Sequence, residues 1–292
     1  MAYDVIIIGG SYSGMAAALQ LVRARRQVLV IDGGKRRNRF AHESHGFLTQ
    51  DGVDPTIIAK TAREQLEAYA TLSWREVTAV AATRDGEAFT VETSDGESYQ
   101  GHRLLLAVGV SDALPDVPGL AERWGRHVFH CPYCHGYELD RGRVGVIATA
   151  HASQHQAQLL TEWGETTFFV NGACELTDEE RRHLIDKGVV IETAPIERIE
   201  GAADVRLADG RLLAFAGLFT APTNAPSTPL AEALGCELEE TPFGKQIRTD
   251  GKQTCIPGVF ACGDAAHVPH SISLAVADGA LAGAMVHRSL VF

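Results

Sequence analysis

The stretch Tyr3 to Asp32 constrains this chain most. Val5, Ile6, Ile7 and Ile8 form a continuous apolar run ended by glycine, the pattern of a strand buried on both faces of a parallel sheet. Gly9-Gly10-Ser11-Tyr12-Ser13-Gly14 follows, then an Ala- and Leu-rich segment that predicts a helix to about Arg26. A second apolar run, Val28 to Ile31, ends in Asp32. This is a βαβ unit with the layout that receives a dinucleotide. Gly9 makes the tight turn, Gly14 lets the helix pack on the strand, and the helix N-terminus faces a pyrophosphate. Asp32 stands where an acid accepts hydrogen bonds from ribose hydroxyls. Ser11 replaces the middle glycine and is small enough for close backbone approach. A chance glycine-rich turn would not bring strand, helix, strand and acid into register together.

Downstream, Arg36 to Phe47 is a polar, histidine-rich loop that either lies solvated on the surface or wraps a cofactor. Pro55 to Tyr69 carries apolar residues at helical spacing. Strands are expected around 77–82, 89–93 and 98–100, separated by Asp-Gly turns, and 104–109 reads as a buried strand ended by glycine. Pro115 and Pro118 mark one linker and 222–226 a second. Between them 144–148, 153–163 and 166–170 repeat strand, helix and strand, and 218–221 adds a strand. The segment 148–153 lacks every glycine of the nucleotide fingerprint. Asn171 ends the next strand, with neither an acid for a ribose nor an arginine cluster for a 2′-phosphate. A strand over 256–266 ends in Gly263-Asp264. A last helix, about Ser271 to Ser289, has a face of small residues (Ala275, Ala277, Gly279, Ala280, Gly283, Ala284) suited to close packing on another helix or beneath a flat ring.

The second feature is Cys131-Pro132-Tyr133-Cys134, flanked by His130 and His135. Two cysteines at this spacing can close into a disulfide and reopen, and a neighbouring histidine or helix N-terminus lowers a thiol pKa. Other chemistries share the pattern. A zinc site needs four ligands; no second such pair exists, although His130 and His135 could complete a cramped set. Cys-x-x-Cys-His also matches the c-type haem attachment pattern, and a plain structural disulfide belongs to exported proteins.

Composition bears on these readings. The 292 residues suit two domains, and six scattered cysteines are not a disulfide framework. A net charge of −11 disfavours nucleic acid and anionic membranes as partners. No apolar run is long enough to span a bilayer, and the first strand follows Met1 with no basic leader, so a cytoplasmic protein is expected. That location disfavours haem attachment and a structural disulfide. No metal is expected.

Together Gly9-x-Ser11-x-x-Gly14 with Asp32, the strand end at Ala107-Val108-Gly109, the Cys131/Cys134 pair and Cys262-Gly263-Asp264 resemble the low-molecular-weight thioredoxin reductase family of flavoproteins, over nearly the whole chain. The resemblance implies an α/β protein of two Rossmann-like three-layer domains. The FAD domain would be discontinuous (1–112 and 222–292), with a CxxC-bearing, NAD(P)H-binding-like domain (113–221) inserted. It implies FAD contacts at Gly9, Ser11, Gly14, Asp32, Gly33, Asn38, His45, Val77, Ala107, Gly109, Gly263, Asp264, Ser271 and Ile272, with Asp264 on the ribityl chain. Cys131 would attack the substrate and Cys134 would exchange electrons with the flavin.

Three departures qualify it. Relatives of that family carry an aspartate after the second cysteine, where this chain has His135. They have glycines and arginines for NADPH, which are missing here, so NAD(P)H binding is expected to be weak or absent. They also have a basic residue leading into the last helix, where this chain has His267 to Ser273. The motifs look closer to the FAD-dependent dithiol oxidases of the gliotoxin and holomycin type, which pass electrons to oxygen; a third related class uses ferredoxin. The expectation is an enzyme cycling a Cys131–Cys134 dithiol and disulfide on a small-molecule or thioredoxin-like substrate, as a homodimer. His135 is either a general base or a packing and capping residue. Alternatives are an NADPH-dependent thioredoxin reductase and a non-enzymatic flavin redox sensor. The other cysteines, Cys174, Cys236, Cys255 and Cys262, read as small buried hydrophobes.

Overall fold

The computed structural model describes residues 2–292. The chain divides into two compact units, one of residues 1–39, 47–111 and 224–292, the other of residues 40–46 and 112–223.

The first unit opens with β1 (Tyr3–Ile8), α1 (Tyr12–Arg23), β2 (Val28–Ile31), α2 (Pro55–Glu67) and β3 (Leu72–Arg75). It continues with β4 (Ala79–Asp85), β5 (Ala88–Thr93) and β6 (Ser98–Leu106). The parallel order β3-β2-β1-β6 places the ends of β1 and β2, and so Gly9 and Asp32, side by side. The expected breaks at 98–100 and 104–109 are one strand. Gly101 does not interrupt β6, because its missing Cβ makes room for Ile6, whose Cγ1 would lie 2.8 Å from that atom. The first half of β6 pairs antiparallel with β5 and its second half runs parallel to β1. Residues of β3 were not expected as a strand.

β7 (Val110–Ala113) spans the boundary between the units after Ser111, and the second unit continues with β8 (Val128–Phe129), α3 (Pro132–His135) and β9 (Arg141–Ile147). Next come α4 (Ser153–Leu160), β10 (Gly164–Phe169), α5 (Asp178–Asp186) and β11 (Val190–Glu192). A small antiparallel sheet of β12 (Ile196–Glu200), β13 (Asp204–Leu207) and β14 (Leu212–Leu213) precedes β15 (Gly217–Thr220). The main sheet runs β11-β10-β9-β15-β8, all parallel, with buried residues such as Val144, Val146, Phe168 and Phe219 filling one face and Ile147, Phe169 and Leu218 the other.

The chain returns through β16 (Thr223–Pro226), α6 (Leu230–Ala233), β17 (Leu238–Thr241), β18 (Gly244–Ile247), β19 (Val259–Ala261) and α7 (Ile272–Ser289). The stretch 222–226, expected as a linker, holds a strand paired with β18, where a backbone N–H from Asn224 reaches Phe243 O at 2.8 Å. The strand expected over 256–266 is only β19; residues 263–265 turn as a 3-10 helix. β19 completes the first sheet beside β6.

The small face of α7 divides. Gly279 and Gly283 are buried against α1, where a Cβ would fall 2.1 Å from Ser13 O and 2.6 Å from Ala17 O. Ala277 and Ala284 are exposed. Helix-on-helix packing therefore accounts for the two glycines. Among the described residues no helix is long and apolar enough to cross a membrane.

A dinucleotide cradle and a CxxC motif

In the first unit the turn after β1 is as tight as its glycines require. Gly9 has φ +105°, and a Cβ there would lie 2.2 Å from Ala107 O. At Gly14 it would lie 1.9 Å from Gly9 O, so α1 starts directly on the turn. Ser11 is the N-cap residue of α1. Ala107 thus walls the turn from β6, and Gly109 (φ +67°) accepts the backbone N–H of Ser227 at 3.0 Å.

Beside this turn lies a cavity of about 750 Å³, within the range of ligand sites. Asp32, Gly33 and Val77 line it, together with Gly10, Arg36 and Trp74. Asp32 Oδ1 accepts the Gly34 N–H at 3.2 Å. A Cβ on Gly10 would strike the Trp74 ring at 2.4 Å, so the cavity wall depends on a glycine facing an indole. Trp74 Nε1 and Arg36 Nε are buried with no protein partner, which leaves donors in the walls of this cavity. Arg63 stacks over the Trp74 ring at 3.9 Å. Acid for a ribose, cations for phosphate and unsatisfied donors fit the adenosine diphosphate portion of FAD. Sequence reasoning missed Trp74 and Arg63, which belong to no fingerprint, while Arg36 lies in the loop for which wrapping a cofactor was one of two readings.

A second cluster in this unit joins Asp264 to Arg37, whose Nη1 donates to Asp264 Oδ2 at 3.1 Å and to His270 Nδ1 at 2.8 Å. Gly263, at φ +69°, backs onto Ser13, where a Cβ would meet the hydroxyl at 2.4 Å. Its N–H donates to Asp278 Oδ2 at 2.8 Å. Ser271 caps α7, its Oγ accepting the Leu274 N–H at 3.1 Å, and Ile272 is the first helical residue. Asn38 Nδ2 donates to the Tyr12 hydroxyl at 3.3 Å. Asn38, Gly263, Asp264, Ser271 and Ile272 are thus not among the residues lining the cavity.

His45, expected at the cofactor, belongs to the second unit. Its Nδ1 lies 3.5 Å from Glu138 Oε1 and its Nε2 3.6 Å from Glu43 Oε2. The ring thus lies beside Glu138, four residues beyond Cys134, a proximity between residues too distant in sequence for any spacing rule to show.

In that motif Cys131 is the N-cap residue of the single-turn α3, with Pro132 in the first helical position. The Cys134 N–H returns to Cys131 O at 3.3 Å, so the spacing folds both cysteines onto one turn. Both are half-buried, while Tyr133 and Tyr137 are exposed. Gly136 is required, since a Cβ would stand 2.6 Å from both Pro132 O and the Trp163 ring. His135 stacks on Phe129 with ring centroids 4.4 Å apart. Burial, with a smaller effect from neighbouring His45, pushes its pKa down to about 4. The apolar Phe129 surface accounts for the direction of the shift, which makes the ring a weaker proton acceptor than an ordinary imidazole.

The other cysteines divide as well. Cys236 and Cys262 are buried, but Cys174 is half-buried and Cys255 exposed. Burial pushes the Cys262 thiol up to about 12. The described residues contain no cluster of three or more His, Cys, Asp or Glu able to hold a metal ion.

Residues 3–279 match the family model of the pyridine nucleotide-disulphide oxidoreductases. The chain belongs to that family. Within it the chain is similar to thioredoxin reductase sirT of Leptosphaeria maculans, 30% identical over 98% of this chain and 93% of the relative. An oxidoreductase from Agrobacterium tumefaciens superposes with a TM-score of 0.98 at 53% identity, covering 100% of this chain and 99% of that one. HlmI superposes at 0.92 with 34% identity, over 99% and 93%. This family member is a thioredoxin reductase-like flavoprotein with two Rossmann-type domains, and an FAD-dependent thiol–disulfide oxidoreductase. Bound FAD supplies a two-electron acceptor and donor for such chemistry.

Proposed function

We propose that this enzyme oxidises dithiols at Cys131 and Cys134 and makes little use of NAD(P)H. The observation that carries the reading is the turn after β9. There Ser153 Oγ accepts the backbone N–H of Thr149 at 3.0 Å and approaches that of Ala150 at 3.3 Å. Those are the donors a pyrophosphate would need at this turn, and a side chain of the following helix engages both. Glu180, which pairs with His151 at 2.8 Å and accepts from Gln154 at 3.1 Å, adds negative charge to the same end of α4. Its hydrogen bonds to Thr177 and Gln154 hold its pKa down at about 2. Asn171, two residues beyond the end of β10, spends its Oδ1 on the Ile196 N–H at 2.9 Å. These features support weak nucleotide binding, at about 1–3 kcal/mol per lost contact.

The chemistry then runs on two thiol exchanges. A substrate thiolate attacks Cys131 Sγ of the Cys131–Cys134 disulfide; the S–S bond breaks and Cys134 leaves as a thiolate. The second substrate thiol loses its proton and attacks the substrate sulfur of the mixed disulfide, releasing Cys131. The substrate leaves as a disulfide, and the enzyme holds the two electrons as a dithiol. His135 stays neutral and packs the turn, so the thiol protons pass to solvent or buffer. Oxygen is the proposed final acceptor, with a ferredoxin-type protein as the other candidate. The name of the sirT relative, a thioredoxin reductase, favours the reverse direction, disulfide reduction, for which NADPH would be the donor to test.

Anaerobic stopped-flow mixing separates these. A small dithiol should bleach the flavin in a saturable way, while micromolar NADPH or NADH should not, and with oxygen one hydrogen peroxide should form per dithiol oxidised. Rapid saturable bleaching by micromolar NADPH would make the protein a disulfide reductase. A single stoichiometric oxidation without turnover would make it a sensor.

A further inference from the structure

The first unit holds two further cysteines near each other. Cys255 Sγ accepts the Glu237 N–H at 3.3 Å and reaches the carbonyl of Gly235 at 3.4 Å. Its sulfur therefore touches the peptide groups on both sides of Cys236. Reciprocally, Cys236 Sγ approaches the hydroxyl of Thr254, the neighbour of Cys255, at 3.5 Å. Each thiol thus contacts the backbone or side chain adjoining the other. A disulfide needs Cα atoms about 4.4–6.8 Å apart, and these reciprocal contacts set the two cysteines' backbone segments side by side.

The two are chemically unequal. Cys255 is exposed and Cys236 is only 6% exposed. Burial raises the Cys236 thiol pKa, with the neighbouring Cys255 adding to the rise against the Thr254 hydrogen bond. An oxidant in solution meets Cys255 first, and Cys236 waits behind it as a resolving thiol.

We propose that Cys236 and Cys255 form a second redox pair, separate from the CxxC motif, that hydrogen peroxide closes into a disulfide. The Cys255 thiolate attacks one peroxide oxygen; the O–O bond breaks, hydroxide leaves and takes up a proton as water, and Cys255 becomes a sulfenic acid. Cys236, as its thiolate, then attacks the Cys255 sulfur; the S–O bond breaks and the departing hydroxide leaves as water with the thiol proton. Two thiols and one peroxide give one disulfide and two waters. The bond ties the corner at Gly235–Glu237 to the turn that precedes β19 and the Gly263-Asp264 segment. The step does not depend on the direction in which the CxxC motif works.

The test treats the flavin-loaded wild-type protein with graded hydrogen peroxide, blocks remaining thiols with N-ethylmaleimide, and digests it with trypsin without reductant. Mass spectrometry should find the Cys236 and Cys255 peptides joined and two hydrogens lighter than their sum, and dithiothreitol should part them. Cys262 shares a tryptic peptide with Cys255, so Cys255→Ser assigns the bond: in that variant, at an exposed position, the cross-link should vanish and Cys236 should remain reactive to maleimide after unfolding. In Cys236→Ala, Cys255 should accumulate as sulfinic acid. The proposal is overturned if wild-type Cys255 reaches sulfinic acid at every dose while Cys236 stays a thiol, or if the cross-link survives in Cys255→Ser.

Discussion

Lys252 Nζ lies 2.5 Å from Asp278 Oδ1, in an ion pair whose side chains are only 13% and 8% exposed. The other oxygen of Asp278 holds the Gly263 N–H. One carboxylate on α7 therefore anchors both the loop before β19 and the first residue of the Gly-Asp turn. Removing one member of a buried pair strands the other charge, at a cost of about 3–5 kcal/mol. Lys252→Met is expected to lose stability of that order in urea denaturation and to retain less flavin after gel filtration. A loss below about 1 kcal/mol would place the pair with weak surface bridges.

The contact of α1 with α7 gives a second expectation. A methyl group at Gly279 would meet a backbone oxygen, Ser13 O, which cannot swing away as a flexible side chain would. Gly279→Ala should cost about 1–3 kcal/mol or more through overpacking, although alanine is the better helix former. Ala284→Ser, at an exposed position on the same helix, should change the melting temperature little. Equal melting temperatures for both variants would show that the two helices can part without penalty.

The two CxxC cysteines should differ in what they trap. With Cys134 replaced by serine, a thiol-reactive disulfide substrate should leave a mixed disulfide on Cys131, visible as an added mass that dithiothreitol removes. Cys131→Ser should accumulate much less of the adduct. The reverse pattern would exchange the two roles.

Much of this architecture was legible, and what was missed has physical reasons. The first βαβ unit announces itself because buried strands, a glycine turn and a terminal acid sit close together in the chain. The second unit repeats the strand and helix pattern, yet the absence of glycines at 148–153 says nothing of what engages the turn; that is Ser153, through a hydroxyl whose target cannot be read from its identity. Trp74 escaped notice because Leu72–Arg75 alternates too briefly to read as a strand. The boundary between the units falls between Thr223 and Asn224, inside the stretch read as a linker, but the strand β16 there was not legible because Pro222 precedes it, Pro226 ends it, and proline cannot donate to a ladder. Lys252 with Asp278, and His45 with Glu138, pair across long sequence separations that leave no periodicity behind.

His135 provides the pH prediction. Its native pKa is about 4, set first by burial and then by His45, against about 6.5 for a histidine in an unfolded chain. Between those values the unfolded chain binds a proton that the native protein refuses. Stability therefore suffers no penalty from this group above about pH 6.5 and declines as pH falls through the window. The full penalty, reached below about pH 4, is at most about 3 kcal/mol. His135→Phe keeps a ring against Phe129 but removes the imidazole, so its stability should fall less steeply with acid. Urea denaturation of both proteins at several pH values from 4 to 7 gives the difference directly, since other titrating groups are common to the two. The rate of thiol exchange between pH 6 and 8 should show no inflection that the substitution removes. Parallel stability curves would mean that His135 takes up its proton as readily in the native protein as in the unfolded chain, and would restore it as a candidate general base.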